Sequence, residues 1–203
     1  MTLYLLRHAE KEKGDYFNPA LRHQDPPLSR RGEAQSENLV PFFKSRGIDS
    51  IYVSSYLRTR QTAEPLAKYL HLSPAVDPHL DEIDNGILEC LDNETIARQY
   101  PQVWRAYTER THDFRFPQGK TGGEAQARIV AFIAQMSAQS KNILAVSHDG
   151  LIRALFCHVT GTPVYKRFDY RVDLCGLMEI EYIVGEAKWR LVRFNQAIGE
   201  RDG

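Results

Sequence analysis

Four clusters of side chains in this sequence have the types and spacing for group-transfer chemistry. The first is Arg7-His8, which follows a short apolar run, Leu3 to Leu6. A guanidinium presents a fixed fork of donors that suits phosphate oxygens. A neutral imidazole acts as a nucleophile when its second ring nitrogen is held by an acceptor. The plainer reading of the dipeptide is an ordinary hydrogen-bonded surface pair. The second cluster runs from Ser54 to Ala63 and includes Arg58 and Arg60. Arg58 falls in the first turn of a predicted helix, where backbone N–H groups and the helix dipole favour an anion. A helical arginine is also commonly just solvated. The third, Leu80 to Gly86, reads either as an acidic loop or as the seat of a general acid, Glu82. A carboxyl near an anion has a raised pKa and holds a proton to donate. The fourth is Ser147-His148-Asp149-Gly150, where a second histidine can donate to a phosphate oxygen. His8, Glu82, His148 and Asp149 also include metal-ligand types. The chain has no HExxH and no close Cys/His spacing, and Arg7 and Arg58 would repel a cation, so no metal is expected.

The elements that must position these clusters follow from periodicity. Leu3–Leu6, Ile51-Tyr52-Val53 and Asn142 to Ser147 read as buried strands that each stop at polar residues. Ser29 offers an N-cap for a helix ending near Gly47, with Pro41 placed to kink or break it. Ala63, Leu66, Ala67 and Leu70 mark an apolar helix face, with Pro65 inside it. Residues 79–91 look irregular. Gly122-Gly123 opens a helix carrying Ile129, Phe132, Ile133 and Met136, and another follows His148 with Ile152, Leu155, Phe156 and Val159. Residues 170–194 suggest two or three strands with a hairpin turn at Gly185-Glu186. The alternation predicts an α/β fold, a three-layer α/β/α sandwich around a mixed, mostly parallel sheet. In such folds ligands sit at the carboxyl ends of the strands, where three of the four clusters fall.

Composition narrows the function classes. The chain has 203 residues, 26 Lys+Arg against 26 Asp+Glu, and 42% hydrophobic residues. A protein that neutralises many phosphates of a nucleic acid carries a basic excess, so no nucleic-acid partner is expected. The longest apolar run, Ile129 to Ala134, is too short to span a bilayer, and no secretory signal is visible at the N-terminus. Cys90, Cys157 and Cys175 form neither a disulfide framework nor a CxxC site. These features predict free thiols and a cytoplasmic protein with no membrane partner. The sequence is silent on oligomeric state.

Together the clusters resemble the histidine phosphatase superfamily, in its phosphoglycerate mutase-like branch. The resemblance rests on Leu6-Arg7-His8-Ala9-Glu10, Pro27 to Gly32, Ser54 to Arg58, Gln61-Thr62-Ala63, Leu80 to Gly86, Gly122-Gly123-Glu124 and Ser147 to Gly150. These occur in the family's order over roughly residues 1–160. The resemblance implies that His8 takes up the phosphoryl group, that Arg7, Arg58 and His148 surround the phosphate, and that Glu82 protonates the leaving alcohol. It implies no cofactor. It also implies one domain over residues 1–203 with a variable cap inserted around residues 92–120. Three departures stand out. Ala9 replaces the usual glycine after the nucleophile. An asparagine that often contacts phosphate has only Asn18 as a substitute candidate. Asp149 follows His148 as in the acid phosphatase branch, which makes it a rival to Glu82 for the acid role.

The function that follows is hydrolysis of a small phosphorylated metabolite through a phosphohistidine. The alternatives are a phosphoglycerate mutase-type phosphotransferase and a non-catalytic relative that binds a phospho-ligand. Mutases of this kind are longer and hold extra residues for the acyl carboxylate. In residues 92–120, aromatics from Tyr100 to Phe116 suggest contact with a ring-bearing leaving group, and the interleaved arginines suggest a second anion. The plainer reading of these aromatics is packing against the core.

Overall fold

The computed structural model describes residues 1–198 of the chain. In chain order, β1 is Thr2–Arg7, and β2 (Phe17–Asn18) and β3 (His23–Gln24) form a small hairpin. Next come α1 (Arg30–Glu37), α2 (Leu39–Phe43), β4 (Ser50–Val53), α3 (Leu57–Leu70) and β5 (Ala75–Val76). The helices α4 (Asn93–Gln99), α5 (Pro101–Glu109) and α6 (Gly122–Ser137) follow. The chain closes with β6 (Ile143–Ser147), α7 (Asp149–Thr160), β7 (Leu177–Ile183) and β8 (Lys188–Gln196).

The main sheet has the order β5-β4-β6-β1-β7-β8. The pairs β5–β4, β4–β6 and β6–β1 are parallel, whereas β1–β7 and β7–β8 are antiparallel. This is the mixed sheet flanked by helices that the alternation predicted. β1 shows why both faces are covered. Its side chains alternate, so Leu3 and Leu5 enter one core with α6 and α7, while Tyr4 and Leu6 enter the other with α2 and α3. Leu3, Leu5 and Leu6 are fully buried, each contributing about 1.5–3 kcal/mol of transfer free energy. β6 lies between β4 and β1 and is buried at all five positions, as a parallel strand covered on both faces must be.

Local sequence explains the helix boundaries. The helix expected from Ser29 to Gly47 is two helices, with Asn38 between them. The ring of Pro41 excludes the carbonyl of Glu37, four residues back and the last residue of α1. Ser29 does cap α1, accepting from Gly32 N at 3.1 Å. Pro65, by contrast, sits within an unbroken α3. Thr121 and Glu124 form a reciprocal capping box at the start of α6. The irregular stretch 79–91 contains two single 3-10 turns, Pro78–Leu80 and Gly86–Cys90. Residues 170–176 add no third strand. The β7–β8 turn spans Val184–Glu186 and closes through a left-handed Ala187. Among the described residues no helix is long and apolar enough to cross a membrane.

Candidate active site

β1, β4 and β6 are neighbours and run parallel, so their carboxyl ends open on one edge of the sheet. Arg7 is in register with Ser147, and Val53 with Val146. His8 N donates to Ser147 O at 3.0 Å, which carries the register one residue past β1. A cavity of about 450 Å³ opens at this edge. Its charged end is lined by Arg7, His8, Lys11, Arg58, Glu82 and Asp149.

The His8 ring has one defined tautomer. Nδ1 lies 2.7 Å from the Ala9 carbonyl oxygen. A carbonyl only accepts, so Nδ1 carries the proton and Nε2 keeps its lone pair. Burial and the guanidinium of Arg58 hold the His8 pKa well below the ordinary histidine value, with Arg7 and Lys11 adding to the effect. The ring is therefore neutral near pH 7, which is the state a nucleophile needs. Ala9, where the family has glycine, is fully buried and has ordinary negative φ. Its N–H donates to Thr62 Oγ1 at 3.0 Å, and Thr62 in turn donates to Arg58 O. The Gln61-Thr62-Ala63 segment thus ties the loop after His8 to α3; Gln61 also accepts from Leu28 N at 2.8 Å.

Arg58 enters from the first turn of α3 and is only 5% exposed. Its Nη1 lies 3.8 Å from Asp25 Oδ1, and its guanidinium stacks over Tyr56 at 4.3 Å. Its Nη2 donates to His148 Nδ1 at 3.2 Å. His148 Nε2 then carries the ring proton and donates to Ser54 Oγ at 2.8 Å. Both His148 nitrogens are taken, and the ring is fully buried with its centroid 5.2 Å from that of His8. The structure therefore sets His148 behind the cavity wall, backing His8 and Arg58, and not in the lining itself. Arg7 does line the cavity, anchored through Nη1 to Val172 O at 2.5 Å.

Asn18 lies outside the lining. It occupies the β2–β3 hairpin, where Nδ2 donates to Asp25 Oδ2 at 3.1 Å and Oδ1 accepts from Ala20 N. Its Nδ2 is engaged with Asp25, which faces Arg58, and Asn18 is not among the residues that line the cavity. Lys11 lines the cavity instead. Burial and Arg58 lower the Lys11 pKa, while Glu89 and Glu82 oppose the shift. The signal for Lys11 was its place three residues after His8.

The two rival carboxylates have distinct surroundings. Glu82 lies against the N-terminus of α7. Oε2 accepts from Gly150 N at 3.1 Å, and Oε1 accepts from Leu151 N at 3.0 Å and from Ile83 N at 2.8 Å. A carboxylate offers about four lone-pair sites, so one remains for the cavity. Arg128 of α6, which sequence reasoning missed, donates from Nη2 to the carbonyls of Asp81 and Glu82 and pins their backbone. Asp149 instead pairs through Oδ2 with Arg153 Nη2 at 2.8 Å, one turn along α7. Burial raises the Asp149 pKa, and Arg153 works against that shift. Among the described residues no group of three or more His, Cys, Asp or Glu is placed to hold a metal ion.

Away from its charged end the cavity lining is rich in apolar and aromatic side chains, with Asn85, Glu89, Asn93, Arg153 and Arg167 set among them. Leu88, Leu91 and Ile96 lie there with Val103, Trp104 and Tyr107 of α5; Phe114, Phe116 and Phe168 complete the wall.

A family model described as the histidine phosphatase superfamily (branch 1) matches residues 3–197. The chain belongs to this superfamily. Among curated members, phosphoserine phosphatase 1 of Hydrogenobacter thermophilus is 30% identical over 178 residues, covering 85% of this chain and 82% of the relative. The probable phosphoglycerate mutase GpmB of Proteus mirabilis is 33% identical over 188 residues, covering 90% and 85%. Two solved structures share the histidine phosphatase fold over nearly the full length. The mycobacterial glucosyl-3-phosphoglycerate phosphatase with inorganic phosphate has a TM-score of 0.82 at 22% identity, covering 97% and 98%. The alpha-ribazole phosphatase of Shigella flexneri has a TM-score of 0.78 at 25% identity and covers both chains completely.

Proposed function

We propose that this chain is a phosphoric monoester hydrolase that acts on a small phosphorylated metabolite through a phosphohistidine. The observation that carries the reading is His8. It is buried and neutral, its Nδ1 is fixed on Ala9 O, and its free Nε2 stands in a cavity lined by Arg7, Arg58 and Lys11. Three cations around a neutral nucleophile match the charge that spreads over the equatorial oxygens during phosphoryl transfer. In the first step Nε2 attacks phosphorus, the ester P–O bond breaks, and Glu82 gives its proton to the departing alkoxide. In the second step Glu82 takes a proton from water as the hydroxyl attacks phosphorus and the P–N bond breaks. His8 returns neutral and Glu82 protonated.

His148 serves the cradle as a positioning residue through Arg58 Nη2, and Asp25, backed by Asn18, serves it on the other side. Asp149 holds Arg153 against the wall. Residues 92–120 act as the cap of a single domain. That none of Cys90, Cys157 and Cys175 is in a disulfide supports a cytoplasmic location. Phosphatase and mutase names both occur among the relatives. A mutase must retain a bisphosphate, yet none of Arg98, Arg105, Arg110, Arg115 and Lys120 in the cap lines the cavity, which favours the hydrolase.

The test is a screen of phosphorylated metabolites without added metal, with His8→Ala as control. The reading expects turnover that persists in EDTA and is lost in His8→Ala. It expects an acid-labile, base-stable phosphoenzyme. Turnover that survives in His8→Ala overturns it. Glu82→Gln is expected to lower kcat on alkyl phosphates by ~10²–10⁴-fold and Asp149→Asn by much less. The reverse order would move the acid role to Asp149.

A further inference from the structure

The far half of the cavity carries information about the leaving group. Residues 98–120 mix five cations with aromatic side chains, and the structure sorts the two sets onto opposite sides. Trp104, Tyr107, Phe114 and Phe116 face the cavity. The cations do not. Arg105 is exposed beside Glu109, Arg110 pairs with Asp169 at 2.5 Å, and Arg115 and Lys120 share Glu124. Arg98 is exposed. The sorting follows helical phase in α5, where residues 103, 104 and 107 lie on one face and 105 and 109 on another.

Two further arginines do reach the far wall, and each is paired with a carboxylate. Arg153 pairs with Asp149 and also approaches the carbonyl oxygens of Arg167 and Tyr170, at 3.5 and 3.4 Å. Arg167 is 1% exposed and donates from Nη1 to Asp113 at 3.0 Å and to Val164 O at 3.1 Å, while its Nη2 is buried away from the cavity surface with no hydrogen-bond partner among the described residues. Its guanidinium carbon lies over the Phe168 ring, 4.2 Å from the centroid, and Phe168 lines the cavity. The rings also brace one another. Tyr107 meets Phe168 edge-on at 4.7 Å, Phe114 stacks on Phe168 at 6.2 Å, and Trp104 lies 5.7 Å from Tyr107. The wall is thus dominated by mutually supported ring faces, and each of its two arginines is held by a carboxylate, Arg153 by Asp149 and Arg167 by Asp113.

From this arrangement, and resting on the hydrolase reading above, we infer that the leaving group is a bulky apolar alcohol bearing a ring. A small polar acid such as a phosphorylated hydroxy-carboxylate does not fit this wall. An apolar ring removes the cavity's aromatic surface from water and gains stacking contacts. A carboxylate there loses its hydration and meets only arginines whose charge already faces Asp149 or Asp113. This replaces the expectation that the segment's arginines hold a second anion.

The test uses four alkyl monoesters, so that every leaving group is an alcohol of similar difficulty: 2-(1-naphthyl)ethyl phosphate, ethyl phosphate, O-phosphoserine and 3-phosphoglycerate. The expected result is a kcat/KM for the naphthyl ester at least about tenfold above each of the others, since one buried ring is worth that much or more. Trp104→Ala should lower the naphthyl-to-ethyl ratio severalfold, and Trp104→Phe should restore most of it. Arg105→Ala, on the outer face of α5, should leave the ratio unchanged. Faster turnover of phosphoserine or 3-phosphoglycerate overturns the inference while leaving the hydrolase reading intact, as does an unchanged ratio in Trp104→Ala. If no ester is hydrolysed, the hydrolase reading fails and the inference with it.

Discussion

Gly150→Ala is the smallest change that reaches the chemistry without touching a reacting group. Gly150 lies in the first turn of α7 with its N–H on Glu82 Oε2. A methyl group placed on its Cα would stand 2.8 Å from Glu82 Oε1 and 3.3 Å from both Glu82 Cδ and Ile83 Cδ1. Ordinary contact begins near 3.4 Å, so the oxygen must retreat by about 0.6 Å. That shift stretches the bonds from Gly150 N and Leu151 N that hold the carboxylate. Each such hydrogen bond is worth about 0.5–1.5 kcal/mol, but the oxygen keeps Ile83 N, and alanine suits a helix better than glycine does. The net stability loss should be modest, about 1–2 kcal/mol by denaturant titration. The kinetic loss should be larger, because about 1 Å of misplacement costs ~10²-fold. The expected result is a ~10–100-fold fall in kcat for an alkyl phosphate and a much smaller one for p-nitrophenyl phosphate, whose leaving group needs little help from an acid. In a Glu82→Gln background the same change should add little, because the group it displaces is already disabled. Equal losses on both esters, or additive losses in the double variant, would refute the assignment of Glu82 as the acid seated on α7.

Three further outcomes follow from buried charge. His8 must be neutral to attack, and burial with Arg58 holds its pKa well below 6.5. The acid limb of kcat/KM should therefore lie below the ordinary histidine range, and a limb at or above pH 6.5 would contradict the environment described. His8 and His148 both have depressed folded-state pKa values, with burial the largest cause and Arg58 next. The unfolded chain thus binds protons first, and stability present above pH 6.5 should fall as pH drops below it, by up to about 1.4 kcal/mol per pH unit for each histidine; thermal denaturation of His8→Gln should show a shallower fall. Asp113→Ala leaves Arg167 buried without its carboxylate partner and should cost ~3–5 kcal/mol, with Asp113→Ala/Arg167→Met milder than the single change. Equal losses in the single and double variants would show that Asp113 matters only through Gly122 and Gly123, whose N–H groups it also accepts.

What was legible in the sequence had a local signature. Leu3–Leu6 and Ile143–Val146 are apolar runs too short for helices, each stopping at a polar residue, and this marked the strand ends where Arg7, His8 and His148 sit. Asn18 and Lys11 show the limit. Both lie in one polar loop, and nothing along that loop says which side chain turns inward. That depends on the β2–β3 hairpin, which draws Asn18 onto Asp25 and leaves Lys11 at the mouth. The contrast between Glu82 and Asp149 was likewise out of reach, because the groups that separate them come from other elements. Glu82 is seated by backbone N–H groups 68 and 69 positions away, and no pattern in Leu80–Gly86 encodes them. The cap lies between these cases. Once Pro101 is taken as the first residue of a helix, the three-residue step from Trp104 to Tyr107 and the four-residue step from Arg105 to Glu109 place rings and charges on different faces. A mixed Arg- and aromatic-rich segment then stops reading as a binder of anions. Its charges keep the outer face in water so that its rings can line the inner one.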